Sequence, residues 1–126
     1  MKKYWAVATL AGNIERVQAL LDGGADINSL DKYGQTALMN ASARGNLNLV
    51  EVLVKHGAEL NHTAKYRLTA LMLAVINHHK AVVSVLLKAG ANAEPGGSKG
   101  HFECTPLEYA KEHGLHEIAV ILSNRT

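Results

Sequence analysis

Gly12–Asn28 reads GNIERVQALLDGGADIN and Gly45–Asn61 reads GNLNLVEVLVKHGAELN. Laid over each other at an offset of 33, the two share Gly, Asn, Val, Leu, Gly, Ala and Asn in register, and most other positions exchange apolar for apolar or polar for polar. The same offset carries Thr36, Ala37, Leu38 and Ala41 onto Thr69, Ala70, Leu71 and Ala74, and Val50, Leu53, Gly57 and Ala58 onto Val83, Leu86, Gly90 and Ala91. A further copy follows at an offset of 36, where Thr69, Leu71 and Ala74 become Thr105, Leu107 and Ala110. Three residues are therefore inserted ahead of Cys104, and they fit in the turn-rich run Glu94-Pro95-Gly96-Gly97-Ser98-Lys99-Gly100. A fixed period of this length is the signature of a stacked repeat architecture.

Each copy predicts two short helices. The first starts at a threonine able to cap orphan amide groups (Thr36, Thr69, Thr105), with Pro106 placed where a missing N–H costs nothing. It ends near Gly45 or Gly114, glycines suited to a left-handed cap. The second helix carries Leu49, Val50, Leu53 and Val54 at helical spacing and stops at Gly57. Two turns of helix cannot hide such a face alone, so each unit must stack on the next.

The run Asp31-Lys32-Tyr33-Gly34-Gln35-Thr36-Ala37-Leu38, with Ala41, Gly45, Val50, Leu53 and Gly57-Ala58-Glu59-Leu60-Asn61, resembles the ankyrin repeat, over essentially the whole chain. The resemblance implies an all-α ankyrin-repeat solenoid of helix pairs with short β-hairpin fingers. It would form a single domain, residues 1–126, divided into a capping repeat (1–30), two repeats (31–63 and 64–96) and a last repeat carrying the three-residue insertion (97–126). The departures are local. The first copy lacks a finger, with Tyr4 and Trp5 where Pro and Leu would stand. Ala64 and Arg67 replace the turn Asp and Gly of the third copy, and His78 replaces its helix-ending Gly. Gly100 and Glu103 stand at the corresponding turn positions of the fourth. The family's usual histidine is replaced by Ala6, Met39, Met72 and Glu108, so its hydrogen bond is lost and modest stability is expected.

Composition narrows the function. The chain has 126 residues, 48% of them hydrophobic and 19% charged, which suits one domain with a buried core rather than a disordered tail. A net charge of +2 is too mild for a dedicated nucleic-acid binder. Lys32, Arg44, Lys65, Arg67 and Lys99 fall on or near the fingers and first helices, but Glu103, Glu108 and Glu112 oppose them, so nucleic acid is disfavoured. One cysteine excludes an intramolecular disulfide, and no apolar run approaches a membrane span. Lys2 and Lys3 followed by small apolar residues imitate a weak signal peptide, but Glu15 and Arg16 arrive too soon. A cytoplasmic protein is expected.

No catalytic constellation emerges. Cys104 has His101 near it, but a finger loop is a poor place to fix a base and an oxyanion site. The adjacent His78 and His79 project about 100° apart on a helix, and His113 and His116 straddle a turn. The histidines are expected to be solvated or capping, with no metal, no cofactor and no enzyme activity.

The informative positions are those that stacking does not demand. Lys32-Tyr33, Lys65-Tyr66 and His101-Phe102 repeat a basic or imidazole residue followed by an aromatic, in step with the period, and take three of the six aromatics in the chain. Such rings either anchor a partner or brace the finger row. Gln35 and Leu68 precede the threonine caps, and Arg44, Ile76, Asn77, Glu112 and His113 end the first helices. These thirteen residues form the expected partner-binding surface of a non-catalytic protein-interaction module whose protein partner is not named by the sequence. A structural alternative uses the apolar helix Glu117-Ile118-Ala119-Val120-Ile121-Leu122, where Val120 replaces Gln18, Glu51 and Ser84 of the other copies. An otherwise monomeric chain would then self-associate weakly through its C-terminal face.

Overall fold

Thr36, Thr69 and Thr105 all begin helices as expected. Their hydroxyls accept hydrogen bonds from the amides of Met39 (3.2 Å), Met72 (3.2 Å) and Glu108 (3.1 Å). At the last of these the Glu108 carboxylate returns the favour, accepting from the Thr105 amide at 2.9 Å, so the cap is reciprocal. In the computed structural model, which describes residues 2–93 and 105–124, eight α-helices follow from such signals. They are α1 (Lys3–Ala11), α2 (Ile14–Asp22), α3 (Ala37–Arg44), α4 (Leu47–Lys55), α5 (Ala70–Ile76), α6 (Lys80–Lys88), α7 (Pro106–Glu112) and α8 (His116–Ser123). Gly100, His101, Phe102, Glu103 and Cys104, and the insertion at 94–100, lie outside the described residues.

Successive helices pair antiparallel, and the pairs stack into two layers. The first helices run α1–α3–α5–α7 and the second helices α2–α4–α6–α8, each touching the next in its own layer. One apolar core runs continuously between the layers from Trp5 to Leu122. Leu49, Val50 and Leu53 of α4 and Val82, Val83 and Leu86 of α6 are fully buried, which confirms the face read from their spacing. Ala37, Ala41, Ala70 and Ala74 are buried as well, and their small size lets the first helices approach closely. Trp5 takes the place that Leu38 and Leu71 hold in the next two pairs and is buried, at the cost of an indole N–H with no partner.

Among the described residues there is no strand, so the expected β-hairpins are present only as their turns. The second finger is closed by Asp31 N donating to Gln35 O at 2.9 Å and Gly34 N donating to Asp31 O at 3.0 Å. The third repeats this with Ala64 N to Leu68 O (2.9 Å) and Arg67 N to Ala64 O (3.1 Å). The third finger also bears the cost of its sequence departures. Arg67 stands where Gly34 has φ 75° and is itself at φ 58°, Tyr66 is at φ 64°, and His78 takes the left-handed helix-ending conformation at φ 63°. Side chains with a Cβ adopt this region at a cost of about 1 kcal/mol or more each.

Gly45 shows why the helix-ending glycine matters twice. It has φ 73°, and a Cβ built on it would lie 2.3 Å from His79 Nδ1 in the next pair. The His79 ring packs over Gly45 and its Nε2–H donates to Ala43 O at 3.1 Å. Gly12 and Asn46 make the equivalent approach one pair earlier. The sequence reads the histidines as solvated or capping; His79 makes no side-chain cap of α6 and ties two repeats together instead.

Leu53→Ala and Leu86→Ala each remove a buried side chain shared between neighbouring pairs. Each should destabilise the fold by about 2–5 kcal/mol. Thermal or denaturant unfolding measures this, and a midpoint unchanged in both variants would contradict the core assignment.

Candidate protein-interaction face

Asp31 organises the second finger. Its Oδ1 accepts from Tyr33 N (2.8 Å) and Gln35 N (3.0 Å), and its Oδ2 accepts from Asn40 Nδ2 on α3 (3.1 Å). Partial burial opposes the charge, but the hydrogen bonds from Gln35, Asn40 and Tyr33 outweigh it and hold the carboxyl below the usual aspartate range. The turn so fixed presents Tyr33, 67% exposed, with Lys32 Nζ 5.1 Å from the ring centroid. The third finger has no such carboxylate, yet repeats the outcome: Lys65 Nζ lies 5.2 Å from the centroid of Tyr66, which is 42% exposed. His62 Nε2–H donates to Gly34 O at 3.1 Å and ties the third finger to the second.

The remaining candidates divide by what already holds them. Arg44 is exposed, and its Nη1 donates to Leu10 O of the preceding pair at 3.0 Å. Asn77 Nδ2 donates to Leu73 O at 2.8 Å, one turn back on its own helix. His113 Nδ1–H donates to Tyr109 O at 3.0 Å, and its ring stacks on Tyr109 with centroids 3.9 Å apart. Gln35 and Ile76 are half-buried, Leu68 packs against the core, and Glu112 is exposed at the end of α7. His101 and Phe102 lie outside the described residues. Arg44, Asn77, His113 and Leu68 thus have structural contacts of their own.

Two sets of residues escaped the sequence reading. Asn28 Oδ1 accepts from Glu59 N at 2.8 Å, and Asn61 Oδ1 accepts from Asn92 N at 2.7 Å, so an asparagine at one phase of the repeat satisfies a loop amide of the next. Their identical phase at an offset of 33 was the available signal. The second set is apolar and lies beside the second finger. Leu10, Leu30 and Tyr33 are exposed and, with Ala6, Asn40 and Arg44, line a hollow of about 710 Å³ between α1, α3 and the finger. Reading the first copy only as a cap concealed it. A hollow of about 800 Å³ on the opposite layer is the furrow between stacked second helices, with Gln18, Asn48, Glu51 and Lys55 along it.

Among the described residues, no group of three or more His, Cys, Asp or Glu side chains is placed to hold a metal ion. No helix among them is long and apolar enough to cross a membrane. Lys80 and Glu117 form an exposed ion pair between α6 and α8, of the kind that adds little stability. A family model described as ankyrin repeats (3 copies) matches residues 4–97. No match is found among curated proteins.

Asp31→Ala should destabilise the chain by about 1–2 kcal/mol at neutral pH, since two amides and an amide side chain lose a charged acceptor at a partly solvated site. The sign of its pH dependence follows from the lowered pKa. The Asp31 contribution is full above the unfolded-state pKa of about 3.9 and is lost as pH falls through the lower folded-state value. Urea unfolding between neutral and acid pH should therefore show the gap between parent and variant closing below about pH 4. A gap that is constant with pH would mean that the carboxylate charge is not what fixes the finger.

Proposed function

This chain belongs to the ankyrin-repeat family, whose repeats are generally protein–protein interaction modules, and on that premise we propose that it is a non-catalytic recognition module. It binds a protein partner across the finger tips and the exposed side of the first helices. The observation that carries this reading is the repeated presentation of Lys32 beside Tyr33 and Lys65 beside Tyr66. The two tyrosines stay exposed in adjacent fingers although one finger is built on Asp31 and the other on strained backbone. Two loops with different internal chemistry arrive at the same surface. Exposed aromatic rings give large contact area at low entropic cost, and the lysines bias encounter with acidic partners. His101 and Phe102 extend the row in this proposal. The division into repeats at 31, 64 and 97, and a cytoplasmic setting for a chain with one cysteine, belong to the same proposal.

Tyr33→Ala with Tyr66→Ala should leave the helical circular-dichroism spectrum and the unfolding midpoint nearly unchanged. It should weaken a partner identified by crosslinking in the native host by about 1–2 kcal/mol or more for each ring that is a hot spot. Unfolding of the double variant would show that the rings brace the fingers, and full-strength binding by a folded variant would place the interface elsewhere.

A second reading rests on Val120, which is 57% exposed on α8 where the other second helices carry Gln18, Glu51 and Ser84. If this face packs on a second copy, the solution mass rises with concentration and Val120→Glu abolishes the rise. A monomeric mass throughout, by light scattering or sedimentation, would dismiss it.

A further inference from the structure

Among the described residues, five of the seven exposed large hydrophobic side chains lie between Tyr4 and Tyr33. The stacking of repeats does not require them there. Leu10 is 53% exposed and stands where Ala43, Ile76 and Glu112 stand in the other copies, so the position accepts small, apolar or charged residues alike. Leu10, Leu30 and Tyr33 converge from α1, the loop entering the second finger, and the finger tip onto the hollow of about 710 Å³. A hollow of this size falls in the range that receives bulky side chains together with their flanking backbone.

Its charged edge holds two cations and one carboxylate. The cations are Lys32 and Arg44, both among the residues that line the hollow. Arg44 is steadied by its bond to Leu10 O, which uses one of the five donors of a guanidinium. The carboxylate on this edge is that of Asp31, and both of its oxygens already accept hydrogen bonds from Tyr33 N, Gln35 N and Asn40 Nδ2. Two cations against one internally engaged carboxylate leave the edge positive, next to an apolar floor.

We propose that this groove is the anchor point of the recognition surface, and that it takes a short segment of a partner protein in which a bulky apolar side chain is flanked by carboxylates. The proposal rests on the reading of the fingers and first helices as the interface, and narrows it to one place and one ligand chemistry. The apolar side chain covers Leu10 and Leu30 and lies against Tyr33. The flanking carboxylates pair with Arg44 and Lys32, where a planar guanidinium favours a bidentate contact. An acidic protein segment is favoured over nucleic acid because the floor is aliphatic and the cations are two, which is too few to follow a phosphate backbone.

The test uses the whole chain as bait for a displayed library of random short peptides, followed by solution affinities of the enriched peptides as synthetic probes. Enriched peptides should carry Leu, Phe or Trp beside Asp or Glu. Leu10→Asp should weaken them by about tenfold or more, as expected for loss of a central apolar anchor. Leu10→Ala, the milder change, should weaken them in the same direction. Lys32→Glu with Arg44→Glu should shift preference to counterparts in which Lys replaces the acidic residues. Circular dichroism verifies that each variant is folded. Peptides that lose affinity in Tyr66→Ala but not in folded Leu10→Asp overturn the groove and leave the broader interface standing. Peptides insensitive to both overturn the groove and the interface together. Enrichment without an acidic bias, no enrichment at all, or displacement of the peptides by single-stranded DNA with equal effect on Leu10→Asp and parent each overturns the groove proposal.

Discussion

A helix of about two turns has more apolar surface than it can bury within its own pair, and the rest of the structure depends on that deficit. Leu49, Val50 and Leu53 on α4 and Val82, Val83 and Leu86 on α6 are buried in one continuous core, and α4 and α6 each touch both their own pair-mate and each other. Stability is thus shared between adjacent pairs rather than owned by any one of them. Close approach is its geometric condition. Ala37, Ala41, Ala70 and Ala74 keep the first helices near each other, and Gly45 accepts the His79 ring at a distance no Cβ would permit.

Apolar stacking leaves the loop backbones to be satisfied by other means, and the molecule does this across repeats. Asn28 and Asn61 accept loop amides from the following repeat, His79 donates to a carbonyl of the preceding one, and His62, just ahead of the third finger, donates to Gly34 O of the second. The place of the family's usual histidine is held by Ala6, Met39, Met72 and Glu108, so these bonds form without it. They also account for the third finger. Without an aspartate to hold its turn, and with Tyr66, Arg67 and His78 in left-handed backbone, that repeat is fastened to the one before it by its own His79, while His62, just ahead of its finger, is tied to Gly34 O. Strain of this kind persists only where the surroundings over-determine it.

A scaffold fixed by stacking places few demands on its finger tips and the open side of its first helices, and the proposed recognition surface is built there. Tyr33 and Tyr66 on the two described fingers, and Leu10 and Leu30 beside them, are exposed apolar side chains on that surface. Arg44 belongs to both worlds, because its bond to Leu10 O joins the first two pairs while its charge borders the groove.

The repeat period, the threonine caps, the left-handed glycines and the buried faces were legible in the sequence because each is a local or periodic rule that recurs at a fixed offset. The lysine–tyrosine pairs at 32–33 and 65–66 were legible for the same reason. Tertiary structure alone decided the rest. The pairing of Arg44 with Leu10 O, of His79 with Ala43 O and of His62 with Gly34 O joins residues roughly one period apart, and nothing in a residue's own repeat reveals its partner in the next. The expected hairpins shrank to turns because a single pair of backbone bonds closes each finger. The groove depends on Leu10, Leu30 and Tyr33 meeting from three different elements. The period of the apolar residues determines which faces must be buried; only the three-dimensional stack decided which exposed residues became neighbours, since that depends on how one repeat is seated on the next.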